Sequence, residues 1–65
     1  MKKILIELSE KDIKKVQNSV NRDANYVVRR IDNKVNFEIY SATNKPIILT
    51  LEKLKNANVC FDIVK

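Results

Sequence analysis

The chain contains no glycine and no histidine, and its 65 residues include one proline and one cysteine. Without glycine, phosphate-binding loops and dinucleotide-binding turns are excluded, because a Cβ atom obstructs the backbone conformations that they need. Without histidine, the usual catalytic triads, imidazole bases and common zinc ligand sets are excluded. A single cysteine cannot form an intramolecular disulfide. These absences predict a protein that is not an enzyme, with no catalytic residues, no metal site and no cofactor.

The thiol of Cys60 is the remaining candidate nucleophile. A reactive thiol needs a nearby cation or a helix amino terminus to lower its pKa, whereas Cys60 falls within a predicted strand. The eight acidic residues are scattered along the chain, and no two are placed as an acid and a base across a substrate. We therefore interpret Cys60 as a small residue packed on a sheet.

Long apolar runs are also lacking. Two lysines precede Ile4-Leu5-Ile6, but Glu7 ends the run after three residues. A secretory core needs about 7 to 15 apolar residues, and a membrane-spanning helix needs about 18. Together with the lone cysteine, this predicts a cytoplasmic protein with no membrane partner.

The apolar pattern predicts six elements in a single α+β domain over residues 1–65, since so short a chain cannot form two cores. They are strands at 3–8, 26–31, 35–41 and 59–64, and helices at 10–21 and 46–56. This βαββαβ order is the ferredoxin-like one, which predicts a four-stranded antiparallel sheet with both helices on one face.

The first helix is predicted from its start signal and its apolar stripe. Ser9 offers a hydroxyl cap, and Asp12 fits the looser capping-box pattern. Ile13, Val16 and Val20 recur with helical spacing, so they should face the core.

Two segments leave alternatives. A two-residue hairpin loop at Asp32-Asn33 would set Val28 opposite Phe37, whereas a three-residue loop would bring Arg29 onto the face of Phe37. We favour the two-residue loop, since it keeps charge off the core face.

Residues 46–57 form either one helix or a strand at 47–51 followed by a helical turn, and the second choice would give a βαβββ meander. We favour the helix. With no glycine, Asn, Asp or Ser must make the turns.

Several strands are apolar on both sides, although one helical layer covers only one face of a sheet. An uncovered apolar face usually marks a protein interface. The residues predicted to line this face are Leu5, Val27, Arg29, Cys60 and Val64. A second copy of the chain, giving a homodimer, is the simplest partner.

The net charge of +5 favours an acidic partner. The candidate basic surface consists of Lys11, Lys14, Lys15, Arg22, Arg29 and Arg30. As an alternative function, these residues would bind nucleic acid phosphates. The third strand, however, has no glycine and carries Glu38 on the open side, unlike the sheets that bind RNA.

These observations predict a small accessory protein that binds a larger protein of unknown identity and modulates or inhibits it. The chain is rich in Lys, Asn and Ile, which are encoded mainly by A- and T-rich codons. Small chains of this composition are typical of phages and mobile elements in low-GC bacteria. An anti-defence role, such as an anti-CRISPR-like one, is therefore part of the hypothesis, and the basic charge argues against a DNA mimic.

Overall fold

The computed structural model describes residues 1–64, which form one antiparallel sheet and two α-helices. The elements are β1 (Lys2–Leu8), a 3₁₀ helix (Glu10–Asp12), α1 (Ile13–Ser19), β2 (Asn25–Ile31), β3 (Lys34–Ser41), α2 (Asn44–Asn56) and β4 (Phe61–Val64). The strand order is β2-β3-β1-β4, and every neighbouring pair is antiparallel. The predicted α+β class, with four antiparallel strands and two helices, is confirmed.

The core lies between the helices and one face of the sheet. Ile6, Phe37 and Ile39 of the central strands are fully buried, and they join Val16 of α1 and Leu54 of α2 in one cluster. Because side chains alternate along a strand, the residues between these positions point to the opposite face.

The first helical segment begins where expected, but with a different structure. Its first turn is a 3₁₀ helix, in which the backbone N–H of Asp12 donates to the carbonyl of Ser9 at 3.0 Å. Within residues 1–64 the Ser9 side chain makes no capping hydrogen bond, so the predicted cap is wrong. The predicted stripe is confirmed, since Val16 is buried while Ile13 and Val20 pack against the core.

The connection from α1 to β2 turns without glycine. The Oδ1 atom of Asn21 accepts a hydrogen bond from the N–H of Asp23 at 2.9 Å, and its carbonyl accepts one from Ala24 at 2.9 Å. The N–H of Asn21 donates to Oγ1 of Thr50 at 3.0 Å. The turn is therefore fastened to the second helix.

Residues 44–56 form one helix, so the alternative strand at 47–51 and the βαβββ meander are wrong. The helix begins two residues before Pro46. Proline is tolerated there, because the first four N–H groups of a helix have no partner within the helix.

The end of α2 is closed by a Schellman turn. Asn58 adopts φ 60°. The N–H of Val59 donates to the carbonyl of Leu54 at 3.1 Å, and the N–H of Asn58 donates to the carbonyl of Lys55 at 3.1 Å. Asparagine here takes the left-handed conformation that glycine usually provides. Val59 is drawn into the core beside the helix end, so β4 starts at Phe61 rather than at 59.

The hairpin has the predicted two-residue loop. Val28 lies opposite Phe37, Tyr26 lies opposite Ile39, and Asp32 adopts φ 56°. The rings of Tyr26 and Phe37 lie 5.5 Å apart between centroids. The three-residue register is wrong.

Candidate binding surfaces

The sheet face opposite the helices is the first candidate, and we call it the open face. Strand pairing arranges its side chains in three rows that cross three or four strands, and in a shorter fourth row, Ile31 and Lys34, that crosses β2 and β3. From β2 toward β4, the three longer rows are Asn25, Tyr40 and Lys3; Val27, Glu38, Leu5 and Val64; and Arg29, Asn36, Glu7 and Asp62.

The middle row is mainly apolar. Val27 and Val64 are each 37% exposed, and Leu5 is half-buried. Glu38 lies between Val27 and Leu5, with its Oε2 atom 3.9 Å from Nζ of Lys3. The row therefore offers an apolar strip interrupted by one paired carboxylate.

Four of the five residues predicted to line the open face lie on it: Leu5, Val27, Arg29 and Val64. Cys60 is exposed and lies before β4, so its interpretation as a small residue packed on a sheet is wrong. The Schellman turn delays the start of β4, and the exposed thiol of Cys60 consequently precedes the strand. Alternation alone could not reveal where β4 begins.

The charge of the third row changes from positive to negative across the sheet. Arg29 stands on β2, whereas Glu7 and Asp62 stand on β1 and β4. Nζ of Lys34 lies 3.0 Å from Oε1 of Glu7, and this hydrogen bond and the charge of Glu7 raise the pKa of Lys34 above its ordinary value. The Lys34 ammonium is therefore charged at neutral pH, and the stabilisation that this shift represents is lost as the pH rises through the raised pKa of Lys34.

Asn36 occupies the centre of the third row. Only 9% of the residue is exposed, and its buried Oδ1 atom accepts no hydrogen bond from residues 1–64. A buried carbonyl without a donor costs about 1 to 3 kcal/mol. Sequence reasoning missed this residue, because its burial comes from side chains of neighbouring strands. Its alternation with Phe37 could have placed it on the open face.

Replacement of Asn36 by valine is expected to stabilise the chain. Valine removes the unpaired acceptor and suits a strand, so the free energy of unfolding should rise by about 1 kcal/mol, and the melting temperature by about 4 to 8 °C. Thermal unfolding followed by circular dichroism measures the shift. The matched control is Asn25→Val, an exposed position on the same face, which should change stability by less than about 0.5 kcal/mol. Equal shifts in both variants would contradict the assignment of an unpaired acceptor.

A groove at the Ser9 end of the sheet is the second candidate surface. Its wall includes the thiol of Cys60, and it carries charges of both signs. The charged side chains are Glu7, Glu10, Asp62, Lys34 and Lys55. This mixture favours neither an anionic nor a cationic ligand.

The predicted basic residues do not form one surface. Lys11, Lys14 and Lys15 are exposed on the first helical segment, and Arg22 is exposed in the turn that follows. Arg29 and Arg30 are successive residues of β2 and therefore lie on opposite faces of the sheet. Nε of Arg30 lies 3.2 Å from Oε1 of Glu10, which offsets part of its charge.

The helical side of the molecule also exposes apolar side chains. On α2, Ile48 is 51% exposed and Leu49 is 41% exposed. The buried positions of this helix are Pro46, Ile47, Thr50 and Leu54. Ile48 is thus an exposed apolar residue remote from the open face.

Residues 1–64 hold no cluster of three or more His, Cys, Asp or Glu side chains that could bind a metal ion. Neither helix of this part of the chain is long and apolar enough to cross a membrane. The chain matches no protein-family model, no curated protein and no solved structure.

Proposed function

We propose that this chain is a small non-catalytic protein-binding module that docks on a larger protein through its open face and modulates or inhibits it. The strip formed by Val27, Leu5 and Val64 carries this proposal. It lies on the sheet face that the helices leave uncovered, between rows of charged and polar residues. An apolar centre with a polar rim is the common anatomy of a protein interface.

For the fold, we propose a compressed ferredoxin-like arrangement. Read from β4, the antiparallel order is β4-β1-β3-β2, and the chain order is βαββαβ apart from the added 3₁₀ turn. This order supports the proposal, since the ferredoxin-like fold stacks its helices on one side of the sheet and leaves the other side available.

The composition supports an accessory role. The absence of glycine and histidine removes the residues on which most nucleotide and acid–base chemistry depends. The bias toward Lys, Asn and Ile supports an origin in a phage or mobile element, where inhibition of a host enzyme or defence complex is a suitable role.

Replacement of Leu5 by lysine tests the surface. A lysine side chain in place of this apolar contact, in the centre of an interface, should weaken capture of the partner at least ten-fold, which corresponds to about 1.4 kcal/mol. The fold should tolerate this change, because residue 5 pairs directly with Glu38 on β3. The measurement is affinity capture from the native host, with quantitative mass spectrometry of the retained proteins.

The matched control is Ile48→Lys, which introduces the same charge on the helical side. It should retain the partner as the wild-type chain does. Equal capture by Leu5→Lys and the wild-type chain would contradict docking through the open face. Retention of nucleic acid at low salt, lost steeply as salt rises, would instead support the nucleic-acid function.

A further inference from the structure

The open face is complementary in charge to itself. Its third row begins with Arg29 on one edge strand and ends with Glu7 and Asp62 on the other side. Three strand spacings, or about 14 Å, separate the two ends of the row. Among residues 1–64, Arg29 makes no ion pair.

A two-fold axis parallel to the strands would bring two open faces together in register. Such an axis places β2 of one copy over β4 of the other, and β3 over β1. Each row of one copy therefore lies against the same row of the other copy, with the order of its residues reversed. Arg29 then faces Asp62 of the second copy, and the same pair recurs on the other side of the axis. In the middle row, Val27 meets Val64.

We propose that a second copy of this chain occupies the open face in the free protein, forming a face-to-face dimer about this axis. The inference rests on the proposed function, because it uses the same surface and names its occupant. Two sheets packed in this way lie about 10 Å apart, with their strands inclined by about 30°.

The edges of the sheet are less suited to a second copy than its face. The exposed edge strand β2 carries Arg29 and Arg30, and two such strands would bring like charges together. The other edge, β4, is only four residues long and carries Asp62. Short edge strands and charged edge residues oppose strand addition.

The size of the chain favours a small interface. A standard interface buries roughly 800 Å² on each partner, which would be about a sixth of the 4749 Å² that this chain exposes. We therefore expect a dimer that dissociates on dilution.

Charge exchange at Arg29 and Asp62 tests the geometry. Arg29→Glu places two acidic residues opposite each other, and Asp62→Arg places two arginines opposite each other. Each single change should raise the dimer dissociation constant at least ten-fold. The double variant Arg29→Glu, Asp62→Arg restores both pairs and should return the constant to within about three-fold of the wild-type value, a residual of about 0.7 kcal/mol. Sedimentation equilibrium over a concentration series measures these constants.

Arg30→Glu is the matched control, because it makes the same change one residue away on the other face of the sheet. It should leave the dissociation constant unchanged. Val27→Thr keeps the shape and strand preference of valine, and it should weaken the dimer about three-fold or more. This variant provides a second test if a charge-exchange variant does not fold, which circular dichroism would reveal.

A wild-type chain that remains monomeric throughout the series overturns the dimer, as does a dimer unaffected by the single exchanges. The proposed function survives that result if Leu5→Lys still abolishes capture of a larger protein. Conversely, a dimer that responds as expected while the capture experiment retains no larger protein would overturn only the proposed function.

Discussion

Replacement of Phe37 by alanine is expected to leave the chain largely unfolded at room temperature. Phe37 is fully buried on β3, between Ile6 and Val28 of the neighbouring strands. Truncation of a buried phenylalanine to alanine costs about 3 to 5 kcal/mol. A core of this size rarely supplies more than about 3 to 5 kcal/mol in total, so the loss consumes most or all of the stability.

Urea denaturation followed by circular dichroism measures this effect. Phe61→Ala is the matched control, since Phe61 is half-buried on the edge strand β4 and should cost clearly less. Phe37→Leu keeps most of the side chain, so it should remain folded with a lower denaturation midpoint. If Phe37→Ala were as stable as Phe61→Ala, the central place of Phe37 in the core would be contradicted.

Replacement of Thr50 by valine is expected to destabilise the chain by about 1 to 3 kcal/mol. The Thr50 side chain is almost completely buried, and its hydroxyl donates to the carbonyl of Pro46 at 2.8 Å. The same oxygen accepts the N–H of Asn21 at 3.0 Å. Valine fills the same space but leaves that N–H without its partner, which releases the turn after α1 from α2.

Hydrogen exchange tests this result at the site itself. The amide of Asn21 should lose protection in Thr50→Val and keep it in Thr50→Ser, which retains the hydroxyl. Thr43→Val is the matched control, because Thr43 is exposed and its side chain makes no capping bond in the described chain. It should cost less than about 0.5 kcal/mol. Unchanged protection of Asn21 in Thr50→Val would refute the role given to this hydrogen bond.

Much of the fold was predictable because it depends on local patterns. Alternation and helical spacing located all four strands and both helices, and the need to keep Arg29 off the core face selected the hairpin register. Ser9 was assigned a side-chain cap because its residue type favours one. The backbone closed that turn instead, and residue type does not distinguish between these two solutions.

The candidate site was less predictable, because it depends on neighbours that are distant in sequence. Leu5, Val27 and Val64 were assigned correctly to one face by alternation. Cys60 was assigned to the last strand, but the helix end extends to Val59 through a hydrogen bond to Leu54, and β4 begins only at Phe61. The burial of Asn36 and the reversal of charge from Arg29 to Asp62 emerge only when four strands lie side by side.

The absence of glycine and histidine is a property of the sequence alone, and it removes the usual phosphate-binding loops and imidazole chemistry before any fold is considered. Only the tertiary structure decided how Asn58 and Asp32 would turn the chain in place of glycine. It also decided which side chains share the open face. Composition limits the chemistry of individual residues, whereas a binding surface depends on strand register, which follows from pairing between segments far apart in the chain.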